Sequence, residues 1–271
     1  MDKYLNEFKE LGSERLGQVG VNKEGDQMVI VEYNDYKDVT VVFPKTNCKV
    51  HTQYVNFLKG YVKNYNKVRF GNHGYLGQGK YKSEGRDSNG NRQHIQAYES
   101  WRKMHLRTEN FDGEHPSYAD VTICEEWWNY QNFAAWFEEN YYDIEDDFMC
   151  VDKDIINPTS KIYSPETCCI VPNKINDIFK KPKSDTKELP TGVHLRKDMK
   201  AVRYRSRTKV YDEYGNLKTV SKTTKTPEEA FEFYKENKEK YIKQVAYMYK
   251  PEIPERVYIA MMNYKVVPYL D

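Results

Sequence analysis

The run from Ala201 to Tyr249, AVRYRSRTKVYDEYGNLKTVSKTTKTPEEAFEFYKENKEKYIKQVAYMY, constrains the fold more than any other part of the chain. From Ala201 to Tyr211 the residues alternate. Arg203, Arg205 and Arg207 fall on one side and Val202 and Tyr204 on the other, which is the two-residue period of a strand. Lys209 extends the basic row. Tyr214-Gly215-Asn216 supplies a turn, and the segment from Leu217 to Thr223 can return as a second strand. Thr226-Pro227-Glu228-Glu229 then reads as a capping box, with Pro227 at the first helical position and Glu229 reaching back. The helix that follows puts Phe231, Tyr234, Ile242, Val245 and Tyr249 on one face and stops before Pro251. The pattern predicts a sheet with one face covered by an amphipathic helix and the other lined with arginines. Such a row can enter a groove and meet phosphates and guanine edges. An ordinary solvated sheet face would carry the same alternation.

Charge distribution favours the first alternative. The net charge is only +1, but it is unevenly spread. Residues 56–107 hold 11 Lys/Arg against 3 Asp/Glu, residues 107–154 hold 2 against 14, and residues 180–225 hold 14 against 5. Basic flanks around an acidic centre suit a chain that grips a polyanion and gathers carboxylates elsewhere. The acidic stretch from Glu109 to Asp154 also leaves open a protein-interaction surface. Aromatic residues make up 14% of the chain, which argues against disorder.

Four segments follow. Residues 1–66 are expected to form a small β-barrel-like module of SH3-like size. In QMVIVEYNDYKDVTVVFP, two β-branched strands flank a turn at Asn34-Asp35, with Met28, Ile30, Glu32, Val39, Val41 and Phe43 as the strand residues. Tyr54, Phe57, Tyr61, Lys59 and Lys63 follow, a mixture that suits core packing or nucleic acid. Residues 67–94 read as a flexible, basic Gly/Asn-rich linker. GYLGQGK lacks the spacing of a phosphate-binding loop, and Lys80 and Lys82 are candidates for tracking a phosphate backbone. Residues 95–182 carry Tyr98, Trp101, Met104 and His105, then Trp127, Phe133, Trp136 and Phe137, at helical spacing. These are expected in the core, with Glu125, Glu126, Glu138 and Glu139 facing solvent. Residues 183–271 hold the sheet and helix described first. The class is α+β and multidomain.

The five cysteines, Cys48, Cys124, Cys150, Cys168 and Cys169, show no CxxC spacing. Free thiols in a cytoplasmic protein are expected. A zinc site from Cys124, Cys150, Cys168 and a histidine is conceivable, with no local motif behind it. No leader and no apolar run of transmembrane length is read, so no membrane association is expected; oligomeric state is left open.

In CVDKDIINPTSKIYSPETCCIVPNKIN, Met149 to Asp152 can form one strand, Thr167 to Val171 a second, and Pro172 to Phe179 a helix, the order of a ββα unit. Together with WRKMHLRT, HPSYADVTICEEWWNYQNFAAWFEENYY and this stretch, the centre of the chain resembles phage-encoded HNH-type (His-Me finger) proteins of the homing-endonuclease kind. GVHLRKDMKAVRYRSRT and TKTPEEAFEFYKENKEKYI are similar to an AP2-type DNA-binding domain, although Ser221-Lys222-Thr223 stands near where Leu-Gly would usually precede the helix. The resemblance implies a phage-encoded, sequence-directed endonuclease acting in the host cytoplasm with one Mg2+ or Mn2+. It implies Asp152 as a metal ligand, with Asn173 or Asn176 from the helix. Lys153 falls where a histidine general base would stand. A lysine near its ordinary pKa of about 10.4 cannot accept a proton at neutrality, so Lys153 would serve as base only if burial or a nearby metal cation lowered its pKa strongly, and otherwise as a cation on the phosphorane or leaving oxygen. Asp154 becomes the alternative base, and His115 is too distant in sequence to place. A DNA-binding regulator or accessory protein without catalysis is the competing expectation.

Overall fold

The computed structural model describes residues 14–108, 120–180, 189–197 and 201–268. His115 and Glu109 lie outside them. The chain is mixed α+β and divides into two compact units, residues 1–109 with 125–135, and residues 110–124 with 136–271.

In the first unit, β1 (Val19–Val21), β2 (Gln27–Asp35), β3 (Asp38–Phe43) and β4 (Cys48–Thr52) form an antiparallel sheet in that order. Met28, Ile30, Val39, Val41, Phe43 and Cys48 are buried beneath it, closed by Phe57 from α1 (Tyr54–Leu58). One sequence expectation shifts here, and one side chain changes face. The hairpin turns at Tyr36-Lys37 rather than at Asn34-Asp35, because Asp35 pairs with Asp38 across it. Glu32 leaves the face of Met28 and Ile30, because the register slips between Ile30 and Glu32. The bulge turns Glu32 outward, where its Oε2 accepts from Thr40 Oγ1 at 2.7 Å, and a bulge carries out such a change of face with one extra residue.

The stretch 67–94 is built rather than slack. It contains β5 (Val68–Phe70), β6 (Gly74–Tyr75), β7 (Glu84–Arg86) and β8 (Arg92–His94), paired β5 with β6 and β7 with β8. Several of its glycines serve close packing. A Cβ on Gly77 (φ +64°) would lie 2.0 Å from Asn129 Oδ1, and one on Gly79 would lie 2.2 Å from Gln131 Oε1. Gln131 holds the loop, donating to the carbonyls of Leu76 (3.2 Å) and Tyr81 (3.0 Å) and accepting from Tyr81 N (3.0 Å). Replacing Gln131 by alanine is expected to cost about 2–3 kcal/mol, at about 1 kcal/mol for each hydrogen bond removed. Chemical denaturation measures that cost, and proteolysis within residues 76–82 should speed up in parallel. Below the loop, α2 (Gln96–Thr108) buries Tyr98, Trp101, Met104 and His105. They meet Trp127, of the 3-10 turn Glu125–Trp128, and Tyr130 and Phe133, of the helix α3 (Tyr130–Asn140). Trp101 Nε1 donates to the Trp127 carbonyl at 2.7 Å. Glu125, Glu126, Glu138 and Glu139 are exposed, as their positions predict.

In the second unit, β9 (Thr122–Ile123) pairs in parallel with β11 (Ile162–Tyr163), and β10 (Met149–Asp152) pairs antiparallel with β12 (Cys169–Pro172). The helix α4 (Asn173–Phe179) follows β12, with Pro172 as its N-cap. Next come β13 (Val193–Arg196), β14 (Arg203–Tyr211) and β15 (Leu217–Thr224), an antiparallel sheet in that order. Across it runs α5 (Pro227–Tyr249), and α6 (Glu255–Asn263) follows. Thr226 Oγ1 accepts from Glu229 N at 3.3 Å, half of the expected capping box. Glu229 Oε2 reaches Lys225 N at 3.4 Å instead of the cap residue. Ile155, Val171, Ile175, Ile178, Ile242, Val245, Val257 and Met261 belong to one buried cluster. The division drawn from the sequence at 182/183 therefore runs through a shared core.

Three hairpins share one turn, and of the three only Tyr214-Gly215-Asn216 is among the sequence expectations. Asn22-Lys23-Glu24-Gly25-Asp26, Asp87-Ser88-Asn89-Gly90-Asn91 and Asp212-Glu213-Tyr214-Gly215-Asn216 join β1–β2, β7–β8 and β14–β15. In each, the first side chain accepts from the N–H groups two and four residues on, at 2.8–3.0 Å. In each, the glycine sits at φ 79–81°, open to a residue without a Cβ. The signal is legible as Asx-x-x-Gly-Asx.

Candidate functional site

The β13–β14–β15 sheet has two unlike faces. Strand alternation and the registers His194↔Arg205, Arg196↔Arg203, Arg205↔Thr223, Arg207↔Ser221 and Lys209↔Thr219 place these residues together on one side. The other side presents Val193, Tyr204, Ser206, Thr208 and Val210 to α5, where Ala230, Phe231 and Tyr234 are buried. The open face thus carries Arg196, Arg203, Arg205, Arg207 and Lys209, with His194, Thr219, Ser221 and Thr223 beside them. No strand residue on that face is acidic. Arg207 and Lys209 are exposed, and Arg203 and Arg205 half-buried. Arg203 Nη1 donates to the Val202 carbonyl at 2.9 Å, and among the described residues no carboxylate lies within ion-pairing distance of Arg205, Arg207 or Lys209. The tip is braced separately: Lys218 Nζ pairs with Asp212 at 2.6 Å, which holds that carboxyl down at about 2.

The basic face also bears on its own scaffold. Lys238 of α5 donates to the Ile178 carbonyl in the last turn of α4 at 2.6 Å, a cation at a helix C-terminus. Burial, and then the nearby Lys209 charge, bring Lys238 down to about 8.

The ββα unit forms in the expected order, but its side chains do not gather as expected. Asp152 ends β10 opposite Cys169, and its Oδ1 accepts from Asp154 N (2.7 Å) and Ile155 N (2.9 Å), turning the chain out of the strand. Desolvation, and then the Asp154 carboxylate, push Asp152 up to about 6. Lys153 is buried; its Nζ donates to Asp154 Oδ1 (2.5 Å) and to the Ser160 carbonyl (3.1 Å), with the Tyr163 ring 6.0 Å away. Lys153 thereby clasps the loop 153–160. Asp154 is tied into that clasp and not held for proton transfer.

Asn173 stands at the far end of the hairpin. Its N–H donates to the Phe148 carbonyl at 2.9 Å, while Asp152 pairs with Cys169 at the other end. At about 3.3 Å per residue, four residues of strand separate the two positions by more than 10 Å. The Asn173 side chain is also engaged: Oδ1 accepts from Cys150 Sγ (3.7 Å) and Nδ2 donates to Asp177 (3.3 Å). Asn176 is half-buried on α4, with no side-chain hydrogen bond among the described residues. Antiparallel pairing puts the end of the first strand far from the start of a helix that follows the second. Asp152 and Asn173 therefore do not converge on one ion, and no step of a reaction follows through one. No three His, Cys, Asp or Glu side chains form a metal-holding group among the described residues. For the cysteines, burial pushes the Cys168 thiol up to about 12 and raises Cys150.

Asp152 is then a turn residue carrying an unfavourable charge. Its pKa in the fold lies above the value of about 3.9 for an unfolded aspartate. Its contribution to stability is complete below about pH 4 and is lost as pH rises through about 6. Asp152→Asn keeps the Oδ1 acceptor and removes the charge, so it is expected to melt at or above wild type at pH 7.5 and to lose that advantage at pH 4. Asp152→Ala strands two N–H groups and is expected to be less stable than both at pH 7.5. Thermal melts of the three proteins across this range check the order.

Lys80 and Lys82 are exposed in the first unit, Lys80 with its ammonium 4.7 Å from the Tyr81 ring centroid. The Lys82 carbonyl accepts from Tyr130 Oη at 2.9 Å. Among the described residues, no helix is long and apolar enough to cross a membrane. Comparison with protein-family models, with curated proteins and with solved structures returns no match.

Proposed function

We propose that the protein binds double-stranded DNA through the open face of β13–β14–β15. The observation that carries this is the composition of that face: five Arg and Lys side chains with three hydroxyls beside them and no acidic strand residue. Alternate residues on a strand stand about 6.8 Å apart, so Arg203 to Lys209 form a row of about 20 Å with several cations for one phosphate backbone. Guanidinium forks read guanine in the major groove, and hydroxyls bond phosphate oxygens. The helix-backed three-stranded architecture is what an AP2-type module would need, which supports the resemblance in the C-terminal part. The test is the salt dependence of binding to duplex DNA, wild type against the neutralised row.

Metal-dependent cleavage of the bound DNA is the second reading, drawn from the likeness to HNH-type nucleases. One observation favours it: the desolvated Asp152 carboxyl beside Asp154 is a spot whose charge a divalent cation would relieve. The separation of Asp152 from Asn173 and the Lys153–Asp154 pair count against it. Incubation of wild type and Asp152→Asn with duplex DNA and Mg2+ or Mn2+ decides between them. Cleavage by wild type alone establishes a nuclease, whereas intact DNA that remains bound by both proteins leaves the binding function.

A further inference from the structure

The hairpin β7–β8 is the least economical element of the first unit. Both its strands are exposed along most of their length, and of its strand side chains the His94 ring meets the buried Tyr98. Two-stranded hairpins are marginal in water unless something packs on them. This one is fixed firmly at its base. Ile95 N donates to the Ser83 carbonyl at 3.1 Å, and the His94 ring lies 5.0 Å from that of Tyr98. Its tip is fixed by Asp87, which accepts from Asn89 N (2.9 Å) and Asn91 N (2.8 Å).

The side chains between base and tip have an unusual arrangement. Arg86 and Arg92 stand directly opposite each other in the register, on the same face. Like charges at facing positions destabilise an antiparallel pair. One nearby carboxylate, Glu84, offsets Arg92 at 3.7 Å, and Arg86 Nη1 is turned back to the Gly90 carbonyl at 2.7 Å. The Asp87 carboxylate is committed to the turn. Lys80 and Lys82 lead into the strand, and Ser88, Asn89 and Gln93 are exposed near the tip. An anion lying across Arg86 and Arg92 would convert their repulsion into a pair of charge-assisted bonds.

We propose that β7–β8 is a second DNA-contacting element, a ribbon that enters the major groove with Arg86 and Arg92 on phosphates and the amide of Asn89, at the tip, near base edges. The groove, about 12 Å wide, admits a two-stranded ribbon whose strands lie about 4.8 Å apart. This rests on the DNA-binding reading of the β13–β15 sheet and extends it to the first unit. The partner is duplex DNA, matched by the basic, amide-bearing surface.

The test uses the full chain and a mixed-sequence duplex, with Arg86→Gln/Arg92→Gln compared with wild type from 50 to 300 mM salt. The expected result is weaker binding, with the slope of log affinity against log salt reduced by about 1.8, at about 0.9 per phosphate contact. An unchanged melting temperature excludes a folding defect. As an independent measurement, Asn89→Cys carrying a photoreactive group is expected to cross-link to the duplex. Unchanged affinity and slope in the double variant, with no cross-link from position 89 while wild type still binds, overturns the ribbon and leaves the sheet reading intact. Failure of wild type to bind duplex DNA at all overturns both.

Discussion

Replacing Arg205, Arg207 and Lys209 together by glutamine is expected to weaken binding to duplex DNA by on the order of a hundredfold or more at moderate salt, at about 1 kcal/mol or more for each cation removed from the DNA. The slope of log affinity against log salt is expected to fall by about 2.7 if all three meet phosphates. The fold should not suffer, because all three side chains lie on the face away from α5 and the register keeps its hydrogen bonds. Removing the Lys209 charge also relieves Lys238, which that charge helps to hold down. A second variant separates charge from geometry. Arg205→Lys keeps the cation and loses the bidentate fork. Retained affinity with relaxed sequence preference would mark Arg205 as a reader of guanine. Retained affinity and preference would mark it as a phosphate contact. If the triple variant binds as wild type does, at every salt concentration, the open face is not the DNA surface.

The parts of the fold written in local chemistry are legible in the sequence. The Arg203–Lys209 alternation and the apolar stripe of α5 each follow from a period and form as read, and the Thr226 side of the cap follows from a capping preference, while the reach of Glu229 back to the cap residue does not form. The ββα order is legible for the same reason. What is not legible depends on pairing at a distance. A bulge at Ile30/Glu32 reverses one side chain, and no local property of Glu32 announces it. The Gly/Asn-rich segment reads as a linker because its glycines resemble freedom, whereas Gly77 and Gly79 are there to let Asn129 and Gln131 approach. Those partners lie about fifty residues away in sequence. The metal expectation is of the same kind. Asp152, Asn173 and Asn176 have a suggestive order in the chain, but order fixes neither the end of the hairpin on which a residue falls nor what its side chain is bonded to. Lys153 is a further case. Its place in the chain suggests chemistry, whereas its bonds to Asp154 and Ser160 give it a structural role that only the folded loop reveals.

Gly192→Ala is the stability test of the sheet itself, with an expected loss of about 2–5 kcal/mol. Gly192 precedes β13 at φ +75°, and a Cβ there would lie 2.5 Å from the Tyr234 ring. The left-handed backbone costs a residue with a Cβ about 1–2 kcal/mol, and forcing the ring of Tyr234 aside adds about 1–3 kcal/mol of overpacking. Against a typical domain stability of about 5–15 kcal/mol this is a large fraction. Denaturant titration reads the loss. Its distribution over the protein is more informative than its size, because Tyr234 and Val193 share one buried cluster with Ala230, Phe231 and Val266. Pushing Tyr234 out loosens β13 from α5, and β13 brings His194 and Arg196 to the open face. Amide exchange is therefore expected to accelerate in β13 before β14 and β15, which are joined to each other by an eight-residue register. Affinity for DNA should fall by less than in the triple variant, since Arg205, Arg207 and Lys209 remain on the β14–β15 pair. Tyr234→Leu in the Gly192→Ala background removes the ring that the new methyl meets, and is expected to recover the overpacking part while the backbone part remains. Recovery of nothing would place the whole penalty in the backbone, and full recovery would place it in the ring.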